Sequence, residues 1–163
     1  DILVGAVTSE STTIDLDGSG QCRVNSLMTN QLRTSVNGSG DVRIKDAIAK
    51  TATLEIDGSG TLTMRDIIAD TVNMKVDGSG DSMLSGEVQH QAIAIHGSGS
   101  YNALDLQSQV TIVKIIGSGD SKIWVIDELT ITITGSGDIT YRGEPAITKS
   151  VTGSGDIIRS ARQ

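Results

Sequence analysis

The triplet Gly-Ser-Gly occurs eight times, beginning at Gly18, Gly38, Gly58, Gly78, Gly97, Gly117, Gly135 and Gly153. The intervals are 20, 20, 20, 19, 20, 18 and 18 residues. Taken alone, Gly-Ser-Gly describes a flexible linker. Recurrence at a near-constant interval, between alternating apolar segments, describes a stacked structural repeat. Sixteen of the 19 glycines lie in these triplets, so the glycine excess belongs to the architecture.

The flanks define the repeat. Two residues before each first glycine stand Leu16, Val36, Ile56, Val76, Ile95, Ile115, Ile133 and Val151, all aliphatic and mostly β-branched. The residues just before them, such as Asp15, Glu55, Lys75 and Lys114, are mostly polar. That period of two is the pattern of a strand with one buried face. The alternation resumes after the triplet, as in Val42 and Ile44 or Leu62 and Met64. A weaker third apolar cluster follows: Leu27–Met28, Ala47–Ile48, Ile67–Ile68, Leu106 and Ile126. Each repeat is therefore a strand, a tight corner, a second strand and a looser third side. One unit cannot bury its own apolar face, but stacked units can. Eight coils at the inter-strand spacing stand about 38 Å tall. The expected fold is all-β: a single-stranded right-handed parallel β-helix of about eight coils of 18–20 residues.

The triplet has a physical role in such a stack. A sharp corner needs positive φ or close backbone approach, which glycine supplies at low steric cost. The serines are candidates for a hydroxyl ladder along the corner. Asp or Asn stands beside the triplet in many coils, for example Asp17, Asn37, Asp57 and Asp77 before it and Asp120, Asp138 and Asp156 after it. These residues bond turn amides. The whole chain, 1–163, reads as one domain, with 1–11 as a partial first coil and 12–163 as the triplet repeats. The segment Asp1-Ile2-Leu3-Val4 aligns with Asp41-Val42-Arg43-Ile44, which follows a triplet. That register places a further Gly-Ser-Gly upstream of Asp1 and makes the chain the later part of a longer solenoid. Lys149 and Arg159 fall in inward columns, which marks the last coil as a frayed or capping one.

The repeated Gly-Ser-Gly-Asp-Ile/Val pattern, as in Gly40-Asp41-Val42, Gly137-Asp138-Ile139 and Gly155-Asp156-Ile157, resembles the auto-transporter adhesin, head GIN domain, family. The resemblance extends over residues 12–163. It implies a pectin-lyase-like β-helix, export to the cell envelope or cell surface of Bacteroidetes, and a role in adhesion. It brings no catalytic residues with it.

Composition narrows the function. The net charge of −7 disfavours nucleic acid and anionic membrane as partners, since both select basic surfaces. The single cysteine, Cys22, permits no internal disulfide. No stretch approaches the roughly 18 apolar residues of a membrane span. A catalytic serine would need a histidine and an acid converging on it, and eight equivalent serines with two histidines, His90 and His96, describe architecture. No helix follows the triplets, so they do not cradle phosphate. Calcium-binding solenoids use a different glycine-aspartate spacing, and the aspartates here read as solvated turn caps. Polysaccharide cleavage is a fold-level analogy only, because Arg23, Arg43, Lys45 and Arg65 mix with Asp46 and Asp66 on outward columns. No cofactor, metal or catalytic residue is assigned.

The feature most suggestive of contact is apolar and outward. The column seven residues past the first glycine runs Asn25, Lys45, Arg65, Ser85, Leu104, Trp124, Arg142, which makes Leu104 and Trp124 vertical neighbours. Ile116 stands just before its triplet where other coils carry Asp, Asn, His or Thr. Leu104, Ile116 and Trp124 are the candidate interface residues; the alternative is that a third-side loop folds over them. The expectation is a non-catalytic cell-surface binding module, an adhesin, whose partner is a host or cell-surface protein or glycan. The alternative is a structural or self-assembling envelope solenoid forming homo-oligomers; a carbohydrate-active enzyme ranks third.

Overall fold

The computed structural model describes residues 1–160; the last three residues of the expected domain, 161–163, lie outside them. The chain is an all-β solenoid of about eight turns, with no helix among the described residues. Seven long strands each wrap nearly a whole coil: β1 (Ile2–Gly18), β2 (Gln21–Gly38), β3 (Asp41–Gly58), β4 (Thr61–Gly78), β5 (Asp81–Gly97), β6 (Ser100–Gly117) and β7 (Asp120–Gly135). The eighth coil is divided into β8 (Ile139–Arg142) and β9 (Ala146–Gly153), and β10 (Ile157–Arg159) follows. All pairing is parallel, each coil on the next, with β8 and β9 both on β7 and β10 on β8. The aligned register of residues 1–4 is the observed one, since Ile2 pairs with Cys22 and Cys22 with Val42. Pairing between β1 and β2 runs from Ile2–Cys22 through to Gly18–Gly38.

Alternation sets the cross-section. In β4, Leu62 and Met64 point in, Arg65 and Asp66 are both exposed, Ile67 and Ala69 point in again, and Val72, Met74 and Val76 follow. Two breaks in the period thus divide each coil into three sides. In β4 these are a first side, 61–65, a short side, 67–69, and a long side, 71–77. The interior is one aliphatic column, filled by residues such as Ile44, Leu54, Ile56, Leu62, Met64 and Ile95. Each such side chain contributes about 1.5–3 kcal/mol by leaving water. Lys149 falls opposite Ile131, in line with the inward column of the earlier coils, and the whole of β9 is exposed.

The corner is a backbone device. The amide of the triplet serine donates to the carbonyl of the first glycine one coil back, from Ser39 on Gly18 to Ser154 on Gly135, at 2.8–2.9 Å. The eight serine side chains are all exposed, so the ladder is one of amides rather than hydroxyls. Gly58 has φ +122°, and a Cβ built there would lie 2.5 Å from the Gly38 carbonyl oxygen. Gly60 needs no unusual φ, but its Cβ would meet Val36 Cγ1 at 2.5 Å. The first glycine is therefore required by conformation and space, the second by space alone.

Candidate functional site

The ladder gathers one outward column on the short side: Thr8, Met28, Ile48, Ile68, Glu87, Gln107, Trp124 and Arg142. Its middle is apolar. Met28, Ile48 and Ile68 stand one above another and are 51%, 47% and 59% exposed. The adjacent apolar pairs in the sequence divide cleanly, with Leu27, Ala47 and Ile67 buried and their successors facing solvent. Beside this stripe runs an open groove of about 490 Å³, floored by Thr29, Ala49 and Ala69 and walled on the far side by Asn30, Lys50, Asp70 and Gln89. In the sequence these pairs look like one apolar cluster, yet half of each faces out. The signal was present, since an apolar pair breaks a period of two at a bend.

Trp124 belongs to this same column but not beside Leu104. The register between β6 and β7 is interrupted between Ala103 and Gln107, and Trp124 pairs with Gln107. Leu104 is half-buried within the extra residues of that bulge. The vertical pairing of Leu104 with Trp124 is thus replaced by Gln107 on one side and Arg142 on the other. The Arg142 guanidinium lies 4.2 Å from the centre of the Trp124 ring, a cation–π contact that covers part of the indole. These two line a hollow of about 580 Å³ with Ile126, Gly143, Glu144 and Arg159. Arg159 pairs with Glu144 at 2.6 Å.

Ile116 stands elsewhere. It is 41% exposed and pairs with His96 and Thr134, the latter ten residues beyond Trp124 along the same coil. Its neighbours are long-side residues, including Ile112, which is 52% exposed. The candidate residues therefore fall on two faces rather than one.

Some of the charged groups pair with one another. Arg33, Glu55, Lys75, Asp77 and His96 form a chain of contacts down the long side, with Arg33–Glu55 at 3.1 Å, Lys75–Glu55 at 3.3 Å and His96 Nδ1–Asp77 at 2.8 Å. The hydrogen bond to Asp77, then that to Glu55, raises the Lys75 pKa, while the bond from Lys75 holds Asp77 below the ordinary carboxylate range. The His96–Asp77 pair has the geometry of an oriented base, but its bonds run to Asp77 alone and no described serine hydroxyl bonds to the ring. On the first side, Arg43 pairs with Asp41 at 3.1 Å and Lys45 with Asp46 at 3.7 Å, which is a solvated face. Burial pushes the Cys22 thiol up and pushes the Tyr101 phenol far up; Tyr101 donates to Gln91 Oε1 at 2.8 Å inside the core.

The stacked aspartates after the triplets are backbone caps. Asp120 accepts the amide of Asp138 at 3.0 Å, and Asp138 accepts that of Asp156 at 2.8 Å. In the 20-residue coils the equivalent amide instead finds a glycine carbonyl, as Asp41 does on Gly20 at 2.9 Å. The carboxylate takes over as acceptor where the repeat shortens to 18 residues. Among the described residues no group of three or more His, Cys, Asp or Glu is placed to hold a metal ion.

No curated protein matches the chain in sequence. Solved structures do match. A "putative lipid binding protein" from Parabacteroides distasonis is similar at 28% identity and TM-score 0.85, over 91% of this chain and 61% of that one. A "putative adhesin" from the same organism shares 24% identity with TM-score 0.89, over 91% and 63% of the two chains. A "putative adhesin" from Bacteroides fragilis shares 20% identity with TM-score 0.73, over 94% of each. The latter two likenesses bear on fold alone. The chain spans about three fifths of the length of the two Parabacteroides proteins. Neither these proteins nor the family is named as an enzyme. Residues 45–145, more than half of the chain, match the family described as "Putative auto-transporter adhesin, head GIN domain", and the chain belongs to that family.

Proposed function

We propose that the protein is a non-catalytic binding module of the cell envelope or cell surface, an adhesin, whose contact face is the short side of the solenoid. The observation that carries this reading is the outward stripe Met28–Ile48–Ile68, three large apolar side chains in register on a rigid ladder. A soluble surface spends apolar area in this way where something docks. Trp124 extends the same column beyond Glu87 and Gln107, so a long ligand lying parallel to the solenoid axis would touch both ends. Family membership supports adhesion and an exported location; the partner is a protein or glycan displayed at a surface.

The experiment is binding of the chain to arrayed glycans and to immobilised host-matrix proteins, with Ile48→Asp and Ile68→Asp as variants. Each should weaken capture by at least about tenfold, since a charge is set into the apolar contact. Capture unaffected by both variants would sink the reading. A second reading, acyl-chain binding, is favoured by the groove beside the stripe with its alanine floor, and by the name of the relative that is 28% identical. Titration with a fluorescent fatty acid separates the two: retained fluorescence change with no protein or glycan capture supports the lipid reading.

A further inference from the structure

The long side is the widest of the three faces, spanning 71–77 in β4 against 61–65 and 67–69. Three of its outward columns are, in β4, Asn73, Lys75 and Asp77 and, in β6, Ile112, Lys114 and Ile116. Its character changes down the stack. Coils three and four carry the charges Glu55, Asp57, Lys75 and Asp77. Coil five carries the small Ala92 and Ala94 beside His96, and coil six projects Ile112 and Ile116. In these three columns coils seven and eight carry only hydroxyls, in Thr130, Thr132 and Thr134 above Thr148, Ser150 and Thr152, with Glu128 and Ala146 at the edge beside them.

We infer that the long side pairs with the long side of a second copy, antiparallel, about a two-fold axis that runs along the strands between coils five and six. That operation places coil five on coil six of the other copy, four on seven and three on eight. Ile112 then enters the depression over Ala92 of the second copy, and Lys114 lies over Ala94. Lys75 and Asp77 meet Thr132 and Thr134, and Glu55 meets Ser150. Glu55, Asp57, Lys75 and Asp77 therefore each face a hydroxyl, Lys114 faces a bare alanine, and no charge in these columns faces one of its own sign. Shifting the axis onto coil six would set Lys114 against Lys114, which the observed order of residues avoids. The pairing is isologous, with each copy giving the same patch.

Area agrees with a reversible dimer. Three columns over six coils cover roughly 500 Å² per copy, from strand rise and spacing with side chains added. The total of roughly 1,000 Å² sits at the lower bound for specific association and far below obligate interfaces. The short side, with its single outward column, could bury much less. This pairing leaves the short side free, so it is independent of the adhesin reading.

Sedimentation velocity on the whole chain over a concentration series should show a reversible monomer–dimer equilibrium. Ala92→Arg fills the depression twice per dimer and should weaken association more than about a hundredfold. The fold should persist, because Arg33 already occupies the same column one coil above Thr53. Thr53→Cys with Thr148→Cys gives a second test. The two positions are five coils apart in one chain, about 24 Å, but face each other across the proposed axis. A short bismaleimide should join them between copies, and neither single variant should cross-link, since Cys22 is buried. A chain monomeric at every concentration overturns the inference, as does a dimer untouched by Ala92→Arg or failure of the paired cysteines to cross-link. A dimer broken by Ile48→Asp would assign the interface to the short side and overturn it equally.

Discussion

The triplet corner and the bend opposite it, where the first side meets the short side, solve the same problem in different ways. At the corner, Gly18 stacks on Gly38, Gly38 on Gly58, and so to Gly153, without one break in register. At the opposite bend the register shifts in three successive interfaces, near Met64/Ile67, Met83/Ser85 and Ala103/Gln107. Asp66, the only non-glycine residue of positive φ among the described residues, lies there, as does Gly86. The corner is invariant because its glycines touch backbone one coil away, where any added atom has no room to move. The bend points into solvent, so an extra or missing residue costs only local pairing. The changes in repeat length are absorbed on that side, and the exposed apolar stripe rises beside it.

The sharpest way to break this comparison lies inside one triplet. Gly58→Ala should destabilise by more than about 3 kcal/mol, because it adds left-handed strain to a backbone clash. Ser59→Ala, one residue away, should stay within about 0.5 kcal/mol, since its amide and not its hydroxyl makes the ladder. Urea denaturation of both variants decides whether the serines are architectural. Next in size is a pair on the short side. Ile67→Ser removes a fully buried side chain and should cost about 3 kcal/mol or more, whereas Ile68→Ser, at a 59% exposed position, should leave the melting transition nearly unchanged.

A smaller effect separates the long coils from the short. Asp138→Ala removes the acceptor of the Asp156 amide and should cost about 1 kcal/mol, while Asp138→Asn keeps an acceptor oxygen and should recover most of it. Asp41→Ala should cost less, since no backbone amide bond to its carboxylate is seen and its amide is held by Gly20. The smallest effect is in pH. The folded pKa of Asp77 is depressed, so its contribution is present above the unfolded carboxylate pKa and is lost as pH falls through the folded value. Solvent screening limits it to a few tenths of a kcal/mol. An Asp77→Asn variant should show a slightly shallower acid-side fall in stability than the parent chain.

Much of the candidate surface was legible before the structure, but its neighbours were not. Ile116 faces outward, as alternation requires. Trp124 and Arg142 were placed in one column, and they pair. Leu104 was counted into that column by position after the triplet, a count that fails once the bulge at Ala103–Gln107 adds residues on one strand only. The same counting could not tell Met28, Ile48 and Ile68 from their buried predecessors.

What the sequence determined by itself is the stack: the triplet interval, the period of two and the absence of any competing helical period leave one way to bury the aliphatic residues. That follows because register in this parallel ladder is dictated by glycines whose stacked positions leave no room for a Cβ of their own. Only the tertiary structure decided which residues meet across coils on the faces between. There the bends are solvated, pairing can slip by a residue at little cost, and a slip moves a side chain from the interior to the surface.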